Sequence, residues 1–249
     1  MNLEPQKQRY LYELDHYLIE FIELYKNNKL PNKLLLSGDK GIGKSTLAYH
    51  LVNFILSQNE KFPYDTKKFE INKNNKSFKL TINGSIPNLI LIDTSSEQKS
   101  INVNQIRDLI SNVNKTSFNN KERFIIIDNI ETLNVNSVNA LLKVLEEPPP
   151  NIFFILINNN RNILPTLKSR CINFKFFLNH EKTLSIIRKL LNDDIYNRIN
   201  SDLLNYYTTP GYLYKFISIF ETNNYNLLNY DVRKLLKLII KDNLYKKDI

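Results

Sequence analysis

LLLSGDKGIGKSTL, residues 34–47, decides how this chain folds. The apolar run Leu34 to Leu36 enters a glycine-rich turn, after which Leu47, Leu51, Val52 and Ile55 recur at helical spacing, so the order is strand, loop, helix. Gly38 to Ser45 fits the P-loop pattern GxxxxGK followed by Ser or Thr in full, and three of the chain's five glycines fall inside it. Glycine lets backbone N–H groups turn inward around phosphates at the positive end of the following helix. Lys44 would then reach the outer phosphates and the Ser45 hydroxyl would help ligate Mg²⁺. A chance glycine-rich turn explains neither the complete spacing nor the flanking strand and helix.

Working outward, Leu11, Leu14, Leu18 and Phe21 predict a helix over 8–26 that ends before Pro31. Residues 57–87 are polar, Lys/Asn-rich and interrupted by Pro63 and Pro87; they read as a peripheral insertion in which 78–82 alternates like a small edge strand. Leu89 to Ile92 reads as a second buried strand, followed by a helix marked by Ile106, Leu109, Ile110 and Val113. Phe124 to Ile127 is a third, and the helix carrying Val135, Val138, Leu141, Leu142 and Leu145 stops at Pro148. Residues 152–157 and 172–177 complete five strands. Strands alternating with helices predict an α/β fold with a central, mainly parallel five-stranded sheet covered on both faces. From about 179 only helical patterns remain: Leu184, Ile187, Leu190 and Leu191 in one helix, Ile195, Ile199, Leu203 and Leu204 in the next. A small helical domain is expected there.

Bulk properties narrow the class. The start of the chain lacks a basic-then-apolar signal pattern and no apolar stretch is long enough for a membrane span, so a cytoplasmic protein without membrane contact is expected. A single Cys171 and the scattered His16, His50 and His180 offer no zinc site. The net charge of +9 suits a phosphate-bearing partner, but part of it lies in Lys/Asn-rich loops, so charge alone does not name nucleic acid.

Asp128 closes the strand 124–127; alone it is an ordinary strand-end aspartate, and beside a P-loop it is a candidate Mg²⁺ residue. NALLKVLEEPP at 139–149 and Ser169-Arg170-Cys171 follow in the same order. Taken singly, they are amphipathic packing and one more surface charge. Together with the P-loop and the Asp-tipped strand they resemble bacterial clamp-loader subunits of the AAA+ superfamily, strongly over 28–178 and more weakly to the chain end.

The resemblance implies an AAA+ P-loop domain over 1–178, a helical lid over 179–222 and the start of a helical collar over 223–249, too short for the usual bundle. It implies that ATP and Mg²⁺ are held by Gly38, Asp39, Lys40, Gly41, Ile42, Gly43, Lys44, Ser45, Thr46 and Asp128, with Ser45 and Asp128 nearest the metal. Arg170, in the family's SRC motif and with no acidic residue within four positions, would be an arginine finger acting in trans. Hydrolysing members carry a glutamate after the strand-end aspartate; here it is Asn129, which takes no proton. Glu131 is a conceivable substitute, read instead as the start of the next loop. At the family's polar sensor stands Ile157, with Asn158 adjacent, and Tyr212 stands where a lid arginine is usual.

Lacking both the glutamate and the four-cysteine module of gamma/tau subunits, the chain most resembles the delta-prime type of DNA polymerase III subunit. Such a subunit binds ATP, hydrolyses it weakly at most, and works with gamma/tau and delta subunits in a hetero-pentamer that loads a sliding clamp onto primed DNA. The alternatives are a catalytic gamma/tau-like motor or branch-migration helicase and, more remotely, a small-molecule P-loop kinase.

Overall fold

The computed structural model describes residues 3–94, 100–113 and 121–243. The chain divides into two compact units, one of Met1–Gly38 with Gly43–Phe176, the other of Asp39–Ile42 with Phe177–Ile249.

The first unit is built on a five-stranded, wholly parallel sheet: β1 (Lys33–Ser37), β2 (Leu89–Ile92), β3 (Arg123–Ile127), β4 (Ile152–Asn158) and β5 (Ile172–Lys175), in the order β2-β3-β4-β1-β5. The apolar runs of β1, β3 and β4 lie inside the sheet, with Leu35, Ile126 and Ile155 fully buried, as expected of strands covered on both faces. β2 differs from its reading as a buried strand. Having one neighbour, it is an edge strand in which only Ile92 is buried. α1 (Asp15–Lys26) precedes β1, and between the strands run α2 (Lys44–Leu56), α3 (Lys76–Ile82), α4 (Val103–Val113), α5 (Val135–Glu146) and the single turn α6 (Pro165–Lys168). Because β1, β3 and β4 are parallel and adjacent, their C-terminal ends, at Ser37, Ile127 and Asn158, share one edge of the sheet, where open α/β folds bind ligands.

Two local expectations fail for identifiable reasons. The helix expected from residue 8 begins only at Asp15: Leu11 N–H donates to Phe69 O and Ile71 N–H to Arg9 O, so the preceding segment pairs with the insertion, and Glu13 adopts a left-handed φ of 61°. Residues 78–82 belong to a helix, not an edge strand. Asn75 Oδ1 accepts from Phe78 N–H at 2.7 Å and the Glu60 carboxylate accepts from the amides of Lys76 and Ser77, so the first-turn donors are satisfied as helix caps require. The insertion is anchored by buried polar bonds, Asn53 Nδ2 to Asn75 Oδ1 at 3.0 Å and His50 Nδ1 with Tyr64 Oη at 2.8 Å.

The second unit contains α7 (His180–Leu191), α8 (Pro210–Thr222) and α9 (Val232–Lys241) around Ile187, Ile195, Ile199, Ile217, Phe220 and Leu227. Residues 195–204 form two 3₁₀ turns rather than one helix. Asp194 and Asn200 each accept the amide two residues on, an Asx arrangement that restarts the chain. α9 buries only Leu235, and Leu236 and Ile240 are exposed; the end of the helix expected from 231, residues 244–249, lies outside the described residues. Among the described residues no helix is long and apolar enough to cross a membrane.

Candidate functional site

Within the first unit, α2 begins directly at Lys44. Its N-cap is Gly43, at φ 99° and with no side chain to cap the first-turn amides, a helix start of the kind that suits an anion. Lys44 is 3% exposed, and its Nζ donates to Gly38 O at 2.8 Å and to Asn159 Oδ1 at 3.1 Å. The Ser45 hydroxyl donates to Asp128 Oδ2, bringing together the two residues read from the sequence as nearest a metal. Burial pushes the Asp128 carboxyl above the usual aspartate range, and nearby Asp93 adds to this against the opposing Ser45 hydrogen bond and Lys44 charge.

The stretch Asp39–Ile42 belongs to the second unit. There Lys40 O accepts from Thr209 Oγ1 at 2.8 Å and Gly41 O accepts from Gly211 N–H at 2.9 Å. The backbones approach so closely that a Cβ on Gly211 would stand 2.8 Å from Gly41 Cα. These contacts of Thr209 and Gly211 with the loop 39–42 were not evident in the sequence. Tyr212, in the position read for a lid arginine, is exposed.

Beyond Asp128 the strand ends are joined by carboxamides. Asn129, in a left-handed conformation at φ 53°, donates from Nδ2 to Asp93 Oδ1 at 2.6 Å and accepts at Oδ1 from Asn159 Nδ2 at 2.8 Å. Asn159 Nδ2 also reaches Glu131 Oε1 at 2.9 Å, and its backbone N–H donates to Glu131 Oε2 at 3.2 Å. The residue after β4 that reaches Lys44 is Asn159, not Asn158. β4 continues through Asn158, whose buried side chain is occupied with the backbone of Arg161, so the first residue free to turn toward Lys44 is the next one. Glu131 lies in a 3₁₀ turn, Ile130–Thr132, and belongs to this network rather than to a plain connecting loop. Both it and Asp93 are engaged as acceptors of amide N–H groups.

Arg170 is not free, as its neighbours in sequence suggested. Its Nε and Nη2 both donate to Glu146 Oε1, at 3.1 and 2.5 Å, and Nη1 donates to Thr166 O at 2.9 Å. Glu146 ends α5, inside the motif at 139–149, so the pairing is long-range and invisible to a local reading. Cys171, next to it, packs into the core with its thiol pushed up to about 11 by burial.

The model of the family described as DNA polymerase III, delta subunit, matches residues 14–179. Relatives include the DNA polymerase III subunit delta′ of Pseudomonas aeruginosa, 34% identical over 55% of this chain and 40% of that protein, and the delta′ subunit of Buchnera aphidicola subsp. Baizongia pistaciae, 32% identical over 69% of this chain and 49% of that one. The gamma subunit of Buchnera aphidicola subsp. Schizaphis graminum is 31% identical over 66% of this chain and 43% of that protein. The chain therefore spans less than half the length of each of these relatives. Among solved structures, the RuvB Holliday junction branch migration motor of Thermotoga maritima superposes with a TM-score of 0.50 at 15% identity, over 95% of this chain and 72% of that one, a likeness of fold alone. The chain belongs to the DNA polymerase III delta-subunit family and resembles its delta-prime members.

Proposed function

We propose that the chain is a delta-prime-like clamp-loader subunit that binds Mg-ATP, hydrolyses it slowly at most, and presents Arg170 to the nucleotide of a neighbouring subunit. One observation carries the reading: Lys44, Ser45 and Asp128 are assembled as a nucleotide site needs, while the residue after Asp128 is a carboxamide hydrogen-bonded at both ends. An amide accepts no proton, so Asn129 is no general base. The pair Ser45 and Asp128 fits a hard divalent cation, and a charge there would favour the ionised Asp128 that burial disfavours. Mg²⁺ would neutralise charge on the phosphate oxygens; Lys44 and the first-turn amides of α2 would hold and orient them.

On this reading residues 1–178 are the nucleotide-binding domain, 179–222 the lid and 223–249 the beginning of a collar. The partners are gamma/tau and delta subunits, the sliding clamp and, through the complex, primed DNA in the cytoplasm. Glu131 favours a second reading, a catalytic gamma/tau-like motor, because it places a carboxylate beside Asn159. Gel filtration with gamma/tau-type and delta-type subunits of the same organism separates the two. Co-elution in a complex containing both, with Arg170→Ala slowing its DNA-stimulated ATPase and clamp loading while leaving this chain's folding intact, is the expected outcome. Migration alone in every mixture, or a wild-type loading rate with Arg170→Ala, contradicts it.

A further inference from the structure

We infer that Glu146 is a positioning residue for Arg170, holding the inner edge of the guanidinium so that its outer edge faces an anion on another chain; this rests on the finger role proposed above. A guanidinium has five N–H donors in a fixed plane. Glu146 Oε1 takes one from Nε and one from Nη2, and Thr166 O takes one from Nη1. One N–H is left on each terminal nitrogen, available to donate to the oxygens of a phosphate.

Two features make orientation the function of this contact rather than stability. The pair is partly exposed, with Arg170 at 32% and Glu146 at 54% of their side-chain surface, and ion pairs so placed stabilise a fold little. Glu146 is also the last residue of α5, at the end of a helix whose dipole disfavours a carboxylate, so local helix energetics do not call for an acid there. Thr166, in α6, and Glu146, in α5, approach the guanidinium from two elements that contact each other, fixing its plane from two sides.

The test uses the assembled complex with its gamma/tau-type and delta-type partners and reads DNA-stimulated ATP turnover for Arg170→Ala, Glu146→Ala, Glu146→Gln and the double variant Glu146→Ala/Arg170→Ala. Misorienting a catalytic group costs up to about a hundredfold, and for one site of a ring a loss of about tenfold is expected from Glu146→Ala, in turnover rather than in the KM for ATP. Glu146→Gln keeps an oxygen where Oε1 stands and is expected near wild type, while the double variant matches Arg170→Ala, since an unheld finger and an absent one do not add. Wild-type or faster turnover in Glu146→Ala beside a defective Arg170→Ala overturns the inference and leaves the finger role standing. So does additivity in the double variant, or a Glu146→Gln as slow as Glu146→Ala. An Arg170→Ala complex at the wild-type rate removes the finger role and this inference with it.

Discussion

The two halves of the strand-end site are built differently. The phosphate side rests on backbone and one buried lysine: Gly43 at the start of α2, Lys44 tied to Gly38 O, and Ser45 against Asp128. The side where water would be activated rests on carboxamides, with Asn129 and Asn159 joined to each other and to Asp93 and Glu131. Holding a nucleotide needs fixed donors and a cation; splitting it needs a proton acceptor as well. A chain can therefore keep the first as a switch after losing the second, and on the function proposed for this chain the boundary between them falls between Asp128 and Asn129.

The largest effect is expected on the phosphate side. Lys44→Ala removes the charged donor and should weaken Mg-ATP affinity about 100-fold, the scale of a lost charge-assisted contact, in a titration with a fluorescent ATP analogue. Equal affinities would show that the loop is a structural turn. On the other side, Asn129→Glu supplies the missing acceptor; slow hydrolysis should rise about tenfold, below the full worth of a well-placed base because Asp93 crowds the new carboxylate. No rise would mean that Glu131 or Asp93 already performs this task or that the arginine of a partner is limiting.

A smaller effect separates the loop from its support. Gly211→Ala pushes a methyl into Gly41 and should weaken ATP affinity by several-fold while leaving the melting of the first unit unchanged, because the clash lies at 2.8 Å from backbone. The smallest concerns the scaffold beneath α2. Burial lowers the pKa of His50 to about 3, against about 6.5 in an unfolded chain. Between those values the unfolded state binds a proton that the folded state does not, so stability is complete above about pH 6.5 and declines as pH falls toward 3. In urea unfolding at a series of pH values, His50→Gln should flatten that decline by up to one proton's worth of slope. An unchanged slope would place the loss elsewhere.

Much of this was readable from the chain alone. The P-loop, the interior strands and α2, α4 and α5 follow from apolar runs and periodicity, which act over a few residues. What escaped depends on partners distant in sequence or on where a strand ends by one residue. Residues 78–82 alternate, yet Asn75 and Glu60 cap them into a helix; β4 runs one residue past the expected Ile157, so that Asn159 rather than Asn158 reaches Lys44; and Arg170 meets an acid on α5 that no local window contains. Leu89 to Ile92 reads as buried because composition does not reveal which strand lies at the edge.

The division between holding and splitting is tested most directly by measuring Mg-ATP binding and steady-state hydrolysis on the same preparation of the isolated chain. The expected result is saturable binding that Lys44→Ala weakens about 100-fold, together with turnover far below about one per second, under the usual range for enzymes. Turnover of several per second by the isolated wild-type chain would contradict it.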